Sequence, residues 1–205
     1  MVFSIPVTLT LETLDRLQRL VEHIPNTHVL YVVRDPRALL ASRLDQADKH
    51  NKRLNQSALQ VSIASICDRM RATLKFIKTP NGEWLRKSVH VLRFEDFVLN
   101  PAYHAQKIYN AFGIAVNEQI STVVFEWVQK NAETANFVSS HVHSSINGAK
   151  HQIFKWKMLD RHLLTSLEEE CGDYVMKTLG YKHSYALSKG DFDDLIPIDV
   201  GWNYL

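Results

Sequence analysis

Glycine is scarce in this 205-residue chain, which has seven in total and none before Gly82. Loops that cradle a nucleotide phosphate with backbone N–H groups need glycine, because a side chain would block the close approach of the phosphate. The sequence G-x-x-x-x-G-K-[ST] of common nucleotide hydrolases is also missing. These absences argue against an ordinary nucleotide hydrolase.

Long apolar runs are missing as well. No stretch approaches the roughly 18 apolar residues of a membrane-spanning helix, and the N-terminal sequence MVFSIPVTLTLETLDRL lacks the basic region and apolar core of a signal peptide. We therefore expect no membrane anchor and no targeting signal in this chain. The net charge is only +2, from 24 basic and 22 acidic residues, so nucleic acid is not an expected partner.

Cysteine is rare, and Cys67 and Cys171 are the only two. Both fall in helix-like sequence, which leaves two interpretations open. They are either two buried thiols or one disulfide formed in an oxidising lumen. The disulfide hypothesis requires their Cα atoms to lie within about 7 Å of each other.

The sequence does contain helical segments that alternate with short buried strands. The runs HVLYVV (28–33) and SVHVLR (88–93) are continuous and rich in β-branched residues, as is typical of strands covered on both faces. Helical periodicity extends over residues 11–23, 58–78, 117–130 and 159–179. This alternation predicts an α/β fold with a parallel sheet, in which the strand before Arg34 is central and parallel to the strand that ends at Arg93. Residues 131–155 show no period and predict a long loop or lid.

The segment YVVRDPRALLASR (31–43) carries the clearest chemical signal. The strand leads into Arg34 and the chain turns at once into a helix, with Asp35 as the N-cap and proline at the first helical position. A helix N-terminus at the carboxyl end of a strand attracts anions, and a guanidinium can hold two phosphate oxygens. The pattern therefore favours a phosphate site, with a structural Arg34–Asp35 ion pair as the alternative. For Arg37 and Arg43 the alternative is a solvated helix face.

The sequence of residues 31–43 resembles the 3′-phosphate-binding segment of sulfotransferases that use 3′-phosphoadenosine 5′-phosphosulfate as co-substrate. The form R-D-P-R-A-x-x-A-S-R is typical of their carbohydrate branch. The resemblance implies that Arg34 and Ser42 bind the 3′-phosphate of the nucleotide. Ser42 lies about two turns into the helix, at ~1.5 Å per residue, and its hydroxyl can donate one hydrogen bond.

Three further pieces resemble the same family in order and spacing. The sequence VLRFEDF, with Phe94 in place of the usual tyrosine, resembles the second strand and its continuation into Asn100-Pro101. The helix that ends near Gly113 and the C-terminal pieces KWK (155–157), Cys171 and LGY (179–181) also match, although Lys157 stands where the family usually has arginine. The resemblance covers residues 28–181.

The second phosphate-binding loop of the family has no counterpart in this sequence. That loop reads like G-x-x-R-S-G-[ST], holds the 5′-phosphosulfate, and is expected with its strand upstream of Met1. Residues 1–205 are therefore interpreted as a single partial sulfotransferase domain. Three explanations stay open: a fragment, a degenerate paralogue that binds nucleotide or sugar without turnover, or a chain that completes its site with another chain.

The catalytic base is not identified by the sequence. Histidine is the usual type, but spacing selects none of the candidates, which are His23, His28, His50, His141, His143 and His151. No metal site is predicted, because the His-x-His pair at 141–143 has no third ligand at a recognisable spacing. Arg93 either shapes the site at its strand end or pairs structurally with Glu95 or Asp96.

The resemblance as a whole implies a P-loop-type three-layer parallel sheet, incomplete at its N-terminal side. It implies transfer of sulfate to a sugar hydroxyl of a glycan or proteoglycan acceptor, by in-line displacement at sulfur, in the Golgi membrane or lumen. These 205 residues alone are expected to be inactive. The alternative function is a non-catalytic nucleotide- or glycan-binding remnant that acts as an interaction module.

Overall fold

The computed structural model describes residues 2–5, 11–24, 26–50, 55–79, 82–115, 122, 123, 126 and 153–186. Its strands are β1 (Val2–Ile5), β2 (His28–Val33) and β3 (Val89–Arg93). Its helices are α1 (Leu11–His23), α2 (Pro36–Lys49), α3 (Gln56–Ile77), α4 (Glu83–Ser88), α5 (Phe94–Leu99), α6 (Pro101–Ala111) and α7 (Arg161–Thr178). Two short 3₁₀ turns flank α7. The first spans Lys155–Met158 and the second spans Ser184–Ala186. No helix in this described part is both long and apolar enough to cross a bilayer.

The described strands form a parallel sheet in the order β1-β2-β3. Strand β2 is central, and its last residue, Val33, stands opposite Arg93 of β3. The predicted position and direction of these two strands are therefore confirmed. Because the strands are parallel, their carboxyl ends meet at one edge of the sheet, and this edge carries both Arg34 and Arg93. The mixed α/β class is confirmed, whereas the three-layer P-loop arrangement stays a prediction.

Three elements, β1, α4 and α5, are not anticipated by the sequence, and each is too short to show a period. Strand β1 has four residues and is followed at once by Pro6, while α4 has six residues between Gly82 and β3. Asn100 precedes α6, but its side chain makes no capping hydrogen bond to that helix. The predicted helix at 117–130 and loop at 131–155 lie largely outside the described residues.

The core lies where α3 and α7 pack together against the sheet. Strand β2 buries alternate residues, as expected when successive side chains point to opposite faces. Helix α3 contributes an apolar stripe at helical spacing, made of Ile63, Ile66, Cys67, Met70, Leu74 and Ile77. Helix α7 faces it with Leu167, Cys171, Val175 and Met176. These two stripes bring the cysteines into the same buried layer.

Cys67 and Cys171 form a disulfide, with their Cα atoms 4.6 Å apart and a sequence separation of 104 residues. The disulfide hypothesis is therefore confirmed, and the interpretation as two buried thiols is wrong. The bond joins α3 to α7 immediately before Gly172, where α7 is kinked by a left-handed backbone (φ 68°, ψ 168°). It cross-links the two helices that enclose the core.

We expect removal of this cross-link to destabilise the domain. Replacing both cysteines by alanine should lower the free energy of unfolding by about 2–5 kcal/mol, because the unfolded chain is no longer constrained by a long closed loop. Urea unfolding measures the change. A reductant should shift the parent midpoint and leave the double variant unaffected. Two titratable thiols in the non-reduced, denatured parent would contradict the bond.

Candidate functional site

Arg34 lies at the carboxyl edge of the sheet, between the end of β2 and the start of α2. Its side chain is half-buried, and its guanidinium carbon lies 4.9 Å from the centre of the Phe94 ring, at the start of α5. Burial lowers the pKa of Arg34, and the nearby Glu95 and Asp35 carboxylates oppose this effect. The edge thus presents a partly desolvated cation that stacks on an aromatic ring.

Asp35 is the N-cap of α2, as the sequence predicts. Its Oδ1 accepts a hydrogen bond of 2.8 Å from the backbone N–H of Arg37. Both carboxylate oxygens also accept from the Arg37 side chain, with Nε at 3.0 and 3.1 Å and Nη2 at 2.7 Å. One residue therefore caps the helix and forms a two-pronged ion pair with the guanidinium two residues later.

Arg37 is completely buried, so the interpretation as a solvated helix face is wrong for this residue. Its Nη1 donates to Glu168 of α7 at 3.0 Å and to the carbonyl of Lys182 at 2.8 Å. The guanidinium also stacks on Trp156, 3.8 Å from the ring centre. Burial alone would lower the pKa of Arg37, but the Asp35 and Glu168 carboxylates outweigh burial and raise it.

Glu95 is a second buried acid at this edge, and sequence reasoning considered it only as a partner of Arg93. Its Oε1 accepts from the backbone N–H of Asp35 at 3.0 Å, and its Oε2 accepts from the hydroxyl of Tyr181 at 3.1 Å. Burial, with a smaller effect of the Asp35 charge, raises the pKa of Glu95 to about 7. This carboxyl group therefore changes its protonation near neutral pH.

Arg93 has a structural role at the end of β3. Its Nε and Nη2 donate to the two carboxylate oxygens of Asp96, both at 2.8 Å. Its Nη1 donates to the carbonyls of Leu179 and Gly180 at 3.2 and 3.0 Å. Of the alternatives that the sequence left open, the pairing with Asp96 is confirmed. The Nη1 hydrogen bonds anchor the LGY segment to the sheet edge.

Ser42 lies on α2, two turns beyond Arg34, and is half-buried. One turn further on, Asp45 forms an ion pair with Lys155, which opens the first 3₁₀ turn. Beside it, Arg43 donates to the carbonyl and hydroxyl oxygens of Ser62 in α3 at 3.1 and 3.0 Å. Arg43 therefore ties α2 to α3, while binding of a phosphate by Arg34 and Ser42 stays a prediction.

The described candidate histidines lie away from Arg34. The Nδ1 of His28, at the opposite end of β2, lies 3.2 Å from the Nε2 of His90. His50 is exposed at the far end of α2, about 20 Å from its start at ~1.5 Å per residue. His23 ends α1, and His141, His143 and His151 lie outside the described residues. No histidine is thereby assigned as the base.

Comparison with protein families decides the identity of the domain. The model of the sulfotransferase family matches residues 7–118, which is more than half of the chain. The chain belongs to the sulfotransferase family. The match includes the Arg34 edge, the Asp35 cap and the whole of β3.

The similar curated proteins are carbohydrate sulfotransferases. Carbohydrate sulfotransferase 3 of Tetronarce californica is 30% identical over 186 residues, which cover 85% of this chain and 41% of that protein. The Mus musculus protein of the same name is 30% identical over 82% of this chain and 37% of its own length. Carbohydrate sulfotransferase 1 of Mus musculus is 24% identical over 77% of this chain and 39% of its own length. The chain thus spans about two fifths of these relatives, and no solved structure matches it.

The buried position of Arg37 generates a stability prediction for this sulfotransferase domain. Arg37→Met should lower the free energy of unfolding by about 3–5 kcal/mol, because it leaves two buried carboxylates without their cation. Urea unfolding of purified variants measures the loss. Arg43→Met is the matched control on the same helix and should cost about 1 kcal/mol, the typical value of a hydrogen bond. Similar losses in the two variants would contradict the central role of Arg37.

Proposed function

We propose that this sulfotransferase-family chain binds 3′-phosphoadenosine 5′-phosphosulfate through Arg34 and Ser42. In this proposal the chain, when joined to a loop that binds the 5′-phosphosulfate, transfers sulfate from that nucleotide to a sugar hydroxyl of a glycan or proteoglycan. The observation that carries the proposal is the half-buried guanidinium of Arg34 at the carboxyl edge of the central parallel strand, beside the start of α2.

The charges around Arg34 support an anionic ligand. Asp35 forms its ion pair with Arg37, although its charge also acts on Arg34. Glu95 also has a raised pKa and carries only part of a negative charge near neutral pH. A phosphate suits this partly desolvated cation, because charge-assisted hydrogen bonds to a guanidinium are strong and can be two-pronged.

The donor set at this edge fits the 3′-phosphate of the nucleotide. Arg34 supplies a guanidinium, Ser42 supplies a hydroxyl, and the N-terminus of α2 supplies a partial positive charge. The co-substrate supplies the activated sulfuryl group, and the residues of this edge hold and orient the nucleotide that carries it. Their contribution to the rate is therefore positioning.

The relatives and the disulfide support our proposals for the acceptor class and the location. The relatives bear the name carbohydrate sulfotransferase, which supports a sugar hydroxyl as the acceptor. The Cys67–Cys171 disulfide supports maturation in an oxidising lumen, because such bonds are rare in reducing compartments. We therefore propose the Golgi lumen as the site of action. From the family resemblance we also propose a P-loop-type three-layer sheet as the complete fold.

Sulfate transfer requires two phosphate-binding sites, and in this proposal these 205 residues supply one of them. No glycine precedes Gly82, so a glycine-rich loop for the 5′-phosphosulfate cannot be assigned to the segment before it. We propose that the polypeptide by itself binds the nucleotide without turning it over. As an isolated unit it would then act as a nucleotide- or glycan-binding module.

Calorimetry with adenosine 3′,5′-bisphosphate tests the binding site. Arg34→Ala should weaken binding at least tenfold, because the lost charge-assisted hydrogen bonds contribute ~1.5–3 kcal/mol. Arg43→Ala is the control, since Arg43 lies on the same helix and contacts Ser62; it should change affinity less than threefold, roughly 0.6 kcal/mol. Arg37→Ala is unsuitable because this residue is buried. Equal losses in the Arg34 and Arg43 variants, or no binding by the parent, would overturn the assignment.

A sulfate-transfer assay tests the second part of the proposal. The 205-residue polypeptide should show no turnover with labelled 3′-phosphoadenosine 5′-phosphosulfate and mixed glycan acceptors. Each missing donor to the developing charge can cost about 10²–10³-fold in rate, and a whole loop supplies several. A fusion that carries the family's N-terminal segment is the comparison. Equal turnover by the two proteins would show that the loop is not required.

A further inference from the structure

A cavity of about 760 Å³ lies between α7 and the two 3₁₀ turns that flank it. Its lining comes from residues 156–185, beyond the residues 7–118 that the family model matches. The volume is within the roughly 300–1,000 Å³ that is typical of small-ligand sites. We propose that this cavity binds a short, uncharged segment of the glycan acceptor, at a site separate from that of the nucleotide. The inference rests on the proposed function, because it gives the acceptor of that reaction a place on the chain.

The inner wall of the cavity is apolar. Trp156 and Leu164 are buried there against Ala38 and Ala41 of α2, and Leu159 packs beside them. In typical ligand sites apolar side chains form most of the wall, and a few polar groups fix the orientation of the ligand. A pyranose ring suits such a wall, because its C–H face is apolar while its rim carries hydroxyl groups.

Tyr185 presents an aromatic ring at the outer rim of the cavity. Its side chain is 78% exposed, and its ring stacks on that of His183, with the centroids 5.2 Å apart. The turn that carries both rings is fixed to α7, because the backbone N–H and the hydroxyl of Ser184 donate to Glu168 at 2.9 and 3.1 Å. The ring is therefore a preorganised surface on which the C–H face of a sugar can pack.

Polar side chains of α7 form the remaining wall. Arg161, Thr165 and Glu169 are four residues apart, so they follow one another along one face of the helix. All three are exposed and line the cavity, as does Asp173 beyond the kink. The guanidinium can donate to sugar hydroxyls, the carboxylates can accept from them, and the threonine hydroxyl can do both.

The charges of the lining favour an uncharged ligand over a nucleotide. Two cations, Lys157 and Arg161, accompany two exposed carboxylates, Glu169 and Asp173. A third carboxylate, Glu168, belongs to the buried ion pair with α2. A phosphate dianion would meet carboxylates along α7, whereas the hydroxyl groups of a sugar can pair with charges of either sign.

The cavity and the Arg34 edge are linked through one buried residue. Glu168 and Trp156 line the cavity, and both contact Arg37. Arg37 is in turn paired with Asp35, the neighbour of Arg34. A glycan held in the cavity would therefore lie close to the nucleotide without sharing its ligands.

NMR titration of the ¹⁵N-labelled chain with three uncharged tetrasaccharides tests the inference. The sugars are chitotetraose, cellotetraose and lacto-N-tetraose. At least one should bind with a dissociation constant below about 1 mM and shift the amides of residues 161–173. Tyr185→Ala should weaken that binding at least fivefold, roughly 1 kcal/mol, because the aromatic contact is lost. Tyr185→Phe keeps the ring and should stay within about twofold of the parent, roughly 0.4 kcal/mol.

Tyr103→Ala is the matched control, since Tyr103 is an exposed tyrosine of α6 outside the lining. It should leave the affinity for the sugar unchanged. Failure of all three sugars to bind, or equal losses in Tyr185→Ala and Tyr103→Ala, would overturn the inference. Titration with adenosine 3′,5′-bisphosphate separates the two proposals. Binding of a sugar without the nucleotide would support the cavity and contradict the Arg34 site, and binding of the nucleotide without any sugar would do the reverse.

Discussion

Arg37 is a fully buried arginine on which three separate parts of this domain depend. Its guanidinium contacts the N-cap of α2, the Glu168 carboxylate of α7 and the carbonyl of Lys182. Burial of ions costs several kcal/mol for each ion, and this cost is offset only when hydrogen bonds and opposite charges surround it. Here two carboxylates, one carbonyl and an indole ring do so. The position of α2 relative to α7 is fixed by that requirement.

Helix α7 is held by an ion pair and a disulfide at two adjacent positions, and these contacts help to fix the edge of the sheet that carries Arg34. Glu168 binds Arg37, while Cys171, three residues later on the same side of the helix, is bonded to Cys67 of α3. Beyond the helix, Tyr181 donates to Glu95, which in turn accepts from the backbone N–H of Asp35. The residues that flank Arg34 are therefore fixed by contacts from the middle of α7 and from the segment that follows it. A phosphate site at this edge would be preorganised rather than formed on binding.

Local sequence patterns were sufficient to predict the carboxyl edge of the sheet at Arg34, but not the long-range contacts of the residues around it. The strand before Arg34, the cap at Asp35 and the parallel strand that ends at Arg93 follow from short-range patterns and are confirmed. The burial of Arg37 could not be predicted in this way, because Glu168 is 131 residues away in the sequence. Lys155 was placed in a loop because its segment has no period. β1, α4 and α5 were missed because four to six residues are too few for a periodic signal.

The central claim is that an anionic nucleotide binds at the carboxyl edge of β2, on a platform fixed by Arg37. Titration of the ¹⁵N-labelled chain with adenosine 3′,5′-bisphosphate tests it most directly, because NMR reports each amide separately. The account predicts shifts concentrated at residues 34–42, with little change at His28 and His90 on the opposite edge of the sheet. Shifts concentrated at His28 and His90, or no shifts at the highest soluble ligand concentration, would contradict it.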